Sequence, residues 1–133
     1  MIVPNVWWGM GLNHECDLFI LTPGGYAYEV EIKTSRADLK ADLKKRNGHK
    51  STLLRKLYFA IPEKLKSCID LIPEHAGILV VSNGGFVEKI REAKNDVSAK
   101  PLDLNHRLKL AHLGTMRIWP LKKTILDKQR PSQ

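Results

Sequence analysis

The stretch that decides the fold is CDLFILTPGGYAYEVEIK, residues 16–33. Its opening, residues 16–22, is a short and mostly apolar run, and residues 26–33 alternate with period two, the spacing of a half-buried strand. Pro23-Gly24-Gly25 between them is a turn signal, so the stretch predicts a β-hairpin. Along its second strand Glu29, Glu31 and Lys33 share one face, because successive side chains of a strand point to opposite sides. With the turn centred on Gly24-Gly25, Asp17 lies roughly opposite residues 31–33, within cross-strand reach. Two carboxylates and an ammonium then converge on a strand pair whose other positions, Phe19, Ile20, Val30 and Ile32, are apolar. Carboxylates in such surroundings are costly unless they pair or bind a cation. Hard oxygen donors on a hairpin suit Mg²⁺, with Mn²⁺ as the alternative; Mg²⁺ keeps several waters and takes only one or two protein carboxylates. A lysine two residues beyond a metal carboxylate can orient a water and offset charge developing on a phosphate. The competing reading is a solvated strand face with cross-strand salt bridges, the commoner fate of an E-x-K pattern taken alone.

Downstream, Ser35 and Asp38 make a shortened capping box for a helix over residues 36–46 that stops at Asn47-Gly48. On it Leu39 and Leu43 point to the core, while Arg36, Lys40 and Lys44 form a basic row at i, i+4, i+8. Asp38 and Asp42 are expected to pair with neighbouring lysines. Residues 56–61 (KLYFAI) read as a third strand closed by Pro62, and residues 63–71 as a short helix. Residues 77–82 (GILVVS) read as a strand buried on both faces. Asn83-Gly84 then turns into an edge strand over residues 86–90. After a linker at 95–101, residues 103–113 have helical spacing with Gly114 as their stop. Trp119 anchors a short last segment, and residues 127–133 form a frayed tail. Upstream, Trp7-Trp8-Gly9 reads as strand or loop, its tryptophans buried against the sheet or in a contact between two copies. The order of elements predicts an α/β fold with a mixed central β-sheet flanked by helices. One domain spans residues 1–133, its core at about 14–93 and a C-terminal helix and tail at 102–133.

Composition agrees with one core-forming domain: 133 residues, 43% hydrophobic. The charge, +8 overall, is unevenly spread. Residues 1–32 hold four acids and no Lys or Arg, residues 33–66 eleven bases against three acids, and the remainder eleven bases against seven acids. An acidic hairpin of net −4 thus abuts a basic segment of net +8, the boundary falling between Ile32 and Lys33. Such an excess points to a polyanionic partner, nucleic acid before membrane. Arg36, Lys40, Lys44, Lys45, Arg46 and Lys50 are the candidates for contacts to a DNA backbone. No stretch approaches the ~20 apolar residues of a membrane span, and no signal-peptide pattern is present. Cys16 and Cys68 are too few for a disulfide framework or a zinc ribbon, which fits a cytoplasmic protein with reduced thiols. The five histidines show no zinc-ligand spacing. His14, close to Asp17, reads as a turn residue that could touch a metal site. Gly48-His49-Lys50-Ser51 lacks the spacing of a Walker A loop. Ser67 and Cys68 have no evident base partner.

Asp17, thirteen intervening residues and then Glu31-Ile32-Lys33 resemble the PD-(D/E)XK nuclease superfamily. More narrowly, EVEIKTSRADLKADLKK, then KLYFAIP, then GILVVSNGGFVEKIREA resemble the MmcB-like DNA-repair proteins within it. The likeness covers residues 14–93 and includes the helix Ser35-x-x-Asp38-Leu39-x-x-Asp42 and the aromatic strand in order. It implies a restriction-endonuclease-like core and a metal-dependent deoxyribonuclease of DNA repair, recombination or a mobile element. On this resemblance Asp17 and Glu31 ligate Mg²⁺, the Ile32 carbonyl joins them, and Lys33 positions the attacking water. Members usually carry a helix before the hairpin, often with another acid. Here residues 1–13 hold no acid, so Glu15 or Glu29 takes that place or a second metal is absent. This departure motivates a second expectation, a non-catalytic nuclease-fold module that binds DNA. A homodimer is compatible with both.

Overall fold

The computed structural model describes residues 1–7, 9–43 and 51–129, the side chains of Leu43 and Gln129 excepted. The hairpin forms where the alternation and the glycines put it. β1 (Ile2–Val6), β2 (Cys16–Leu21) and β3 (Ala27–Ile32) pair antiparallel in succession, with Val3 opposite Phe19, Leu18 opposite Val30 and Phe19 opposite Glu29. β4 (Leu54–Pro62) and β5 (Gly77–Val81) then add in parallel, and β6 (Val87–Arg91) closes the sheet antiparallel, so spatial order equals chain order. Parallel neighbours need crossovers, and helical segments lie in both. These are α1 (Arg36–Leu43), between β3 and β4, and a 3₁₀ helix (Glu63–Leu71), between β4 and β5. The long α2 (Leu104–Gln129) packs against β1. The mixed α/β sheet with flanking helices expected from the sequence is the observed architecture.

Two turns repeat one chemistry. In Thr22-Pro23-Gly24-Gly25-Tyr26 the Thr22 N–H donates to Tyr26 O at 2.9 Å, and the Thr22 hydroxyl accepts the Tyr26 N–H at 3.1 Å. Ser82-Asn83-Gly84-Gly85-Phe86 does the same, with corresponding distances of 2.9 and 3.2 Å. Glycine is favoured at position 25 by its backbone. Its φ of +83° is open to glycine, and a Cβ there would come within 2.3 Å of an Arg107 guanidinium nitrogen. Its carbonyl accepts the Leu102 N–H at 2.8 Å, which ties the start of the C-terminal region to the hairpin.

Two apolar clusters cover one face of the sheet. Val3, Val6, Phe19, Leu54 and Leu102 gather around Leu110 of α2, and Phe59, Ile61, Ile78 and Val80 around Leu39 of α1 and Leu65 of the 3₁₀ helix. The apolar contacts therefore reach beyond residues 14–93 at both ends. On the opposite face Val30, Tyr58 and Ala93 are buried, with Leu18, Ile20, Tyr28 and Leu79 half-buried around them.

Several local expectations are corrected. Gly114 does not end a helix: α2 runs to Gln129 with Pro120 inside it. A Cβ on Gly114 would sit 3.4 Å from Val3, the edge of ordinary contact, and α2 passes Val3 here without a break. Trp119 is exposed on this helix; Trp7 is exposed as well and so not buried against the sheet, and Trp8 lies outside the described residues. The segment at 63–71 is 3₁₀, and the residues ahead of Trp7 form the strand β1. Ser35 does cap α1, its hydroxyl accepting the Asp38 N–H at 3.1 Å. The expected C-terminal part of that helix beyond Leu43 lies outside the described residues. Among the described residues no helix is long and apolar enough to cross a membrane.

Candidate functional site

β3 carries a polar row across an otherwise apolar face. Ala27, Glu29, Glu31 and Lys33 succeed each other at period two, and the last three are 0%, 5% and 6% exposed. The strand's Glu29 pairs with Leu57 of β4 and Glu31 with Phe59, so the row runs between the two apolar clusters. The solvated-face reading of this E-x-E-x-K pattern is thereby overturned: the helices that cover the face bury the charges with it.

Lys33 Nζ donates to Glu31 Oε2 at 2.8 Å and stands 3.1 Å from Asp42 Oδ1. Asp42 is buried on α1 and meets Lys33, the residue that follows β3. Burial works against the charged form of Lys33, yet Glu31 and Asp42 outweigh it and hold the ammonium above the ordinary lysine range. Burial pushes the Glu31 carboxyl upward; Lys33 opposes this and Glu29 reinforces it. Among the described residues two buried carboxylates, Glu31 and Asp42, thus face one buried ammonium, while Glu29 of the same row meets His14. Glu31 Oε1 receives no hydrogen bond among the described residues.

Asp17 reaches the expected place. Its Oδ2 accepts the Ile32 N–H at 2.7 Å, between Glu31 and Lys33. It does so where β2 loses its alternation. Cys16 and Phe19, three residues apart, both enter the cluster around Leu110 of α2, and Asn5 of β1 takes a positive φ of 52° beside them. Cys16 is fully buried, and burial, followed by Glu29, Glu31 and Asp17, holds its thiol above the ordinary range.

His14 is more than a turn residue. Its Nε2 lies 2.5 Å from Glu29 Oε1 and 3.8 Å from Cys16 Sγ. Sequence reasoning missed this grouping because it treated Cys16 as a small hydrophobe and sought histidine pairs. The spacing His14-x-Cys16, together with Glu29 across the hairpin, was the available signal. Of the two candidates for an additional acid, Glu29 lies in the buried row and Glu15 is exposed. Arg36 and Lys40 are exposed on α1, directly after the row, whereas Lys44, Lys45, Arg46 and Lys50 lie outside the described residues.

No protein-family model matches the chain, and no curated protein matches it. Among solved structures the chain is similar to the SPO1766 protein of unknown function from Silicibacter pomeroyi, with a TM-score of 0.67 at 20% sequence identity. That similarity covers 99% of this chain and 83% of the other. The mixed sheet with flanking helices is therefore a fold this chain shares with that protein.

Proposed function

We propose that this chain is a divalent-metal-dependent phosphodiesterase of the PD-(D/E)XK kind that acts on DNA in repair, recombination or a mobile element. The observation that carries the reading is the buried row on β3. Glu31 gives one oxygen to Lys33, its other oxygen receives no hydrogen bond among the described residues, and Asp17 is bound to the amide between them. A donor set short of positive charge fits a hard cation. Asp17 and Glu31 would hold Mg²⁺ or Mn²⁺. In extended backbone the N–H and C=O of one residue point toward the same neighbouring strand. The Ile32 carbonyl is thus directed to the side that Asp17 occupies. When bound, the metal would polarise the phosphate and ease deprotonation of a water. Lys33, held cationic by its partners, would orient that water and offset charge on the phosphate. Arg36 and Lys40 would hold the flanking backbone, giving salt-sensitive binding with little sequence preference.

The test is cleavage of plasmid and linear DNA by the full chain. Activity should require Mg²⁺ or Mn²⁺ and vanish with EDTA. Asp17→Asn should lower the rate by about 10²-fold or more while circular dichroism and the thermal midpoint stay unchanged. A Lys33→Ala protein that cuts at the wild-type rate refutes the mechanism.

A second reading has its own support. Lys33 is committed to two carboxylates and Asp17 to an amide, as in an ion-pair cluster that stabilises the fold. A non-catalytic DNA-binding module would bind DNA indifferently to Mg²⁺, and Asp17→Asn would leave its affinity unchanged.

A further inference from the structure

His14 Nε2, Cys16 Sγ and a Glu29 carboxylate oxygen lie within 4.8 Å of one another, where the start of β2 meets the row on β3. Cys16 and Glu29 are fully buried, and the His14 side chain is 16% exposed, so the group is closed on the sheet side and open through the imidazole. We propose that these three side chains form a site for a divalent transition metal of borderline softness, Zn²⁺ being the type.

The chemistry of the donors sets this site apart from the Asp17–Glu31 pair. Thiolate, imidazole and carboxylate suit Zn²⁺ and its first-row neighbours, whereas Mg²⁺ takes oxygen. The imidazole is prepared for the role. His14 Nδ1 lies 2.7 Å from Asn13 Oδ1, so the tautomer that donates from Nδ1 to this oxygen leaves Nε2 available as a ligand. A carboxylate oxygen 2.5 Å from a lone pair requires a proton or a cation between them. A tetrahedral ion at about 2.0–2.3 Å from its ligands sets N, O and S about 3.3–3.6 Å apart. The His14–Cys16 separation of 3.8 Å is already close to that. The 2.5 Å His14–Glu29 contact widens by about 0.8 Å to admit the ion. Binding converts the thiol to thiolate, its proton passing to solvent, and three protein ligands leave a fourth position for water. A Cys-His-Glu nucleophilic triad does not fit the same atoms. It needs the two nitrogens of the imidazole for different partners, and here Nε2 meets both Cys16 and Glu29.

The experiment is a Co²⁺ titration of the metal-stripped full chain, followed by displacement with Zn²⁺. A near-ultraviolet thiolate-to-cobalt band should grow to saturation at one equivalent and disappear as Zn²⁺ is added. Cys68→Ser should keep the band and Cys16→Ser should abolish it. His14→Ala should weaken Co²⁺ binding by about 100-fold or more, and Asn13→Ala, which touches no metal, by about 10-fold. Absence of the band in folded wild-type protein overturns the proposal, as does a band that survives Cys16→Ser. Should Cys16→Ser not fold, unchanged Co²⁺ affinity in His14→Ala overturns it instead. Asp17→Asn should retain the band whether or not it cuts DNA, so this proposal and the nuclease reading fail separately.

Discussion

Removing the Lys33 ammonium tests the charge balance of the buried row most directly. Lys33→Met keeps most of the side-chain volume and leaves Glu31 and Asp42 without their cation. Each of the three side chains is 7% exposed, and the two contacts are 2.8 and 3.1 Å. At an effective dielectric constant of about 20 the two attractions are about 6 and 5 kcal/mol, an upper bound that desolvation offsets. Breaking a buried pair while its partner stays in place leaves about 3–5 kcal/mol of net destabilisation. For a chain of this length that corresponds to a thermal midpoint lowered by about 10–20 °C. The loss should also depend on pH in a fixed direction. Burial raises the Glu31 carboxyl even with Lys33 present, and the variant raises it further. A carboxyl whose folded pKa lies above its unfolded value costs stability as pH rises through the folded pKa. It returns that stability as pH falls toward the unfolded value of about 4.3. The deficit of Lys33→Met should therefore shrink between pH 7.5 and pH 5.5. Urea unfolding followed by circular dichroism at both values measures it, with Lys40→Met on the exposed side of α1 as a control expected within about 0.5 kcal/mol of wild type. A deficit below about 1 kcal/mol at pH 7.5, or one equal at both pH values, refutes the argument that this row is short of positive charge.

Three further outcomes are expected. Gly77→Ala would bring a Cβ within 2.3 Å of the Tyr58 ring and 2.8 Å of the Ala93 backbone nitrogen, which cannot move aside. Urea titration should show a loss of about 1–3 kcal/mol, and an unchanged midpoint would contradict this packing. Glu92 meets Lys56, Lys89 and the Tyr58 hydroxyl, which lower its carboxyl to about 2. Its stabilisation is present above the ordinary carboxylate range and is lost as pH falls toward that value. Carboxyl NMR should find the low midpoint in the wild type and a higher one in Lys56→Met. If Arg36 and Lys40 contact a DNA backbone, alanine at each should weaken binding evenly across sequences and reduce the slope of log affinity against log salt by about 1. Unchanged slopes in fluorescence anisotropy would remove α1 from the interface.

Local chemistry determined much of this protein. The hairpin, its TPGGY turn, the parallel-sheet signature of GILVV and the cap at Ser35 are legible because alternation, glycine and side-chain capping act over a few residues. The meeting of Asp17 with residues 31–33 followed from hairpin geometry and was legible for the same reason. The burial of that row was not. Glu29, Glu31 and Lys33 alternate identically on a wet or a dry face, and only the docking of α1 and α2 on that face decides which it is. Asp42 became a partner of Lys33 by the packing of a helix on a sheet, a contact that spacing along the helix does not encode. His14, Cys16 and Glu29 converge because β2 breaks its alternation beside Asn5, a distortion shared by two paired strands. Gly114 reads locally as a helix stop, yet α2 continues past it along β1. The sequence by itself determined which residues are charged, where the two hairpins turn and which strands those hairpins join. The tertiary structure decided which charges lose their water, because desolvation depends on what packs above a side chain and not on its neighbours in the chain.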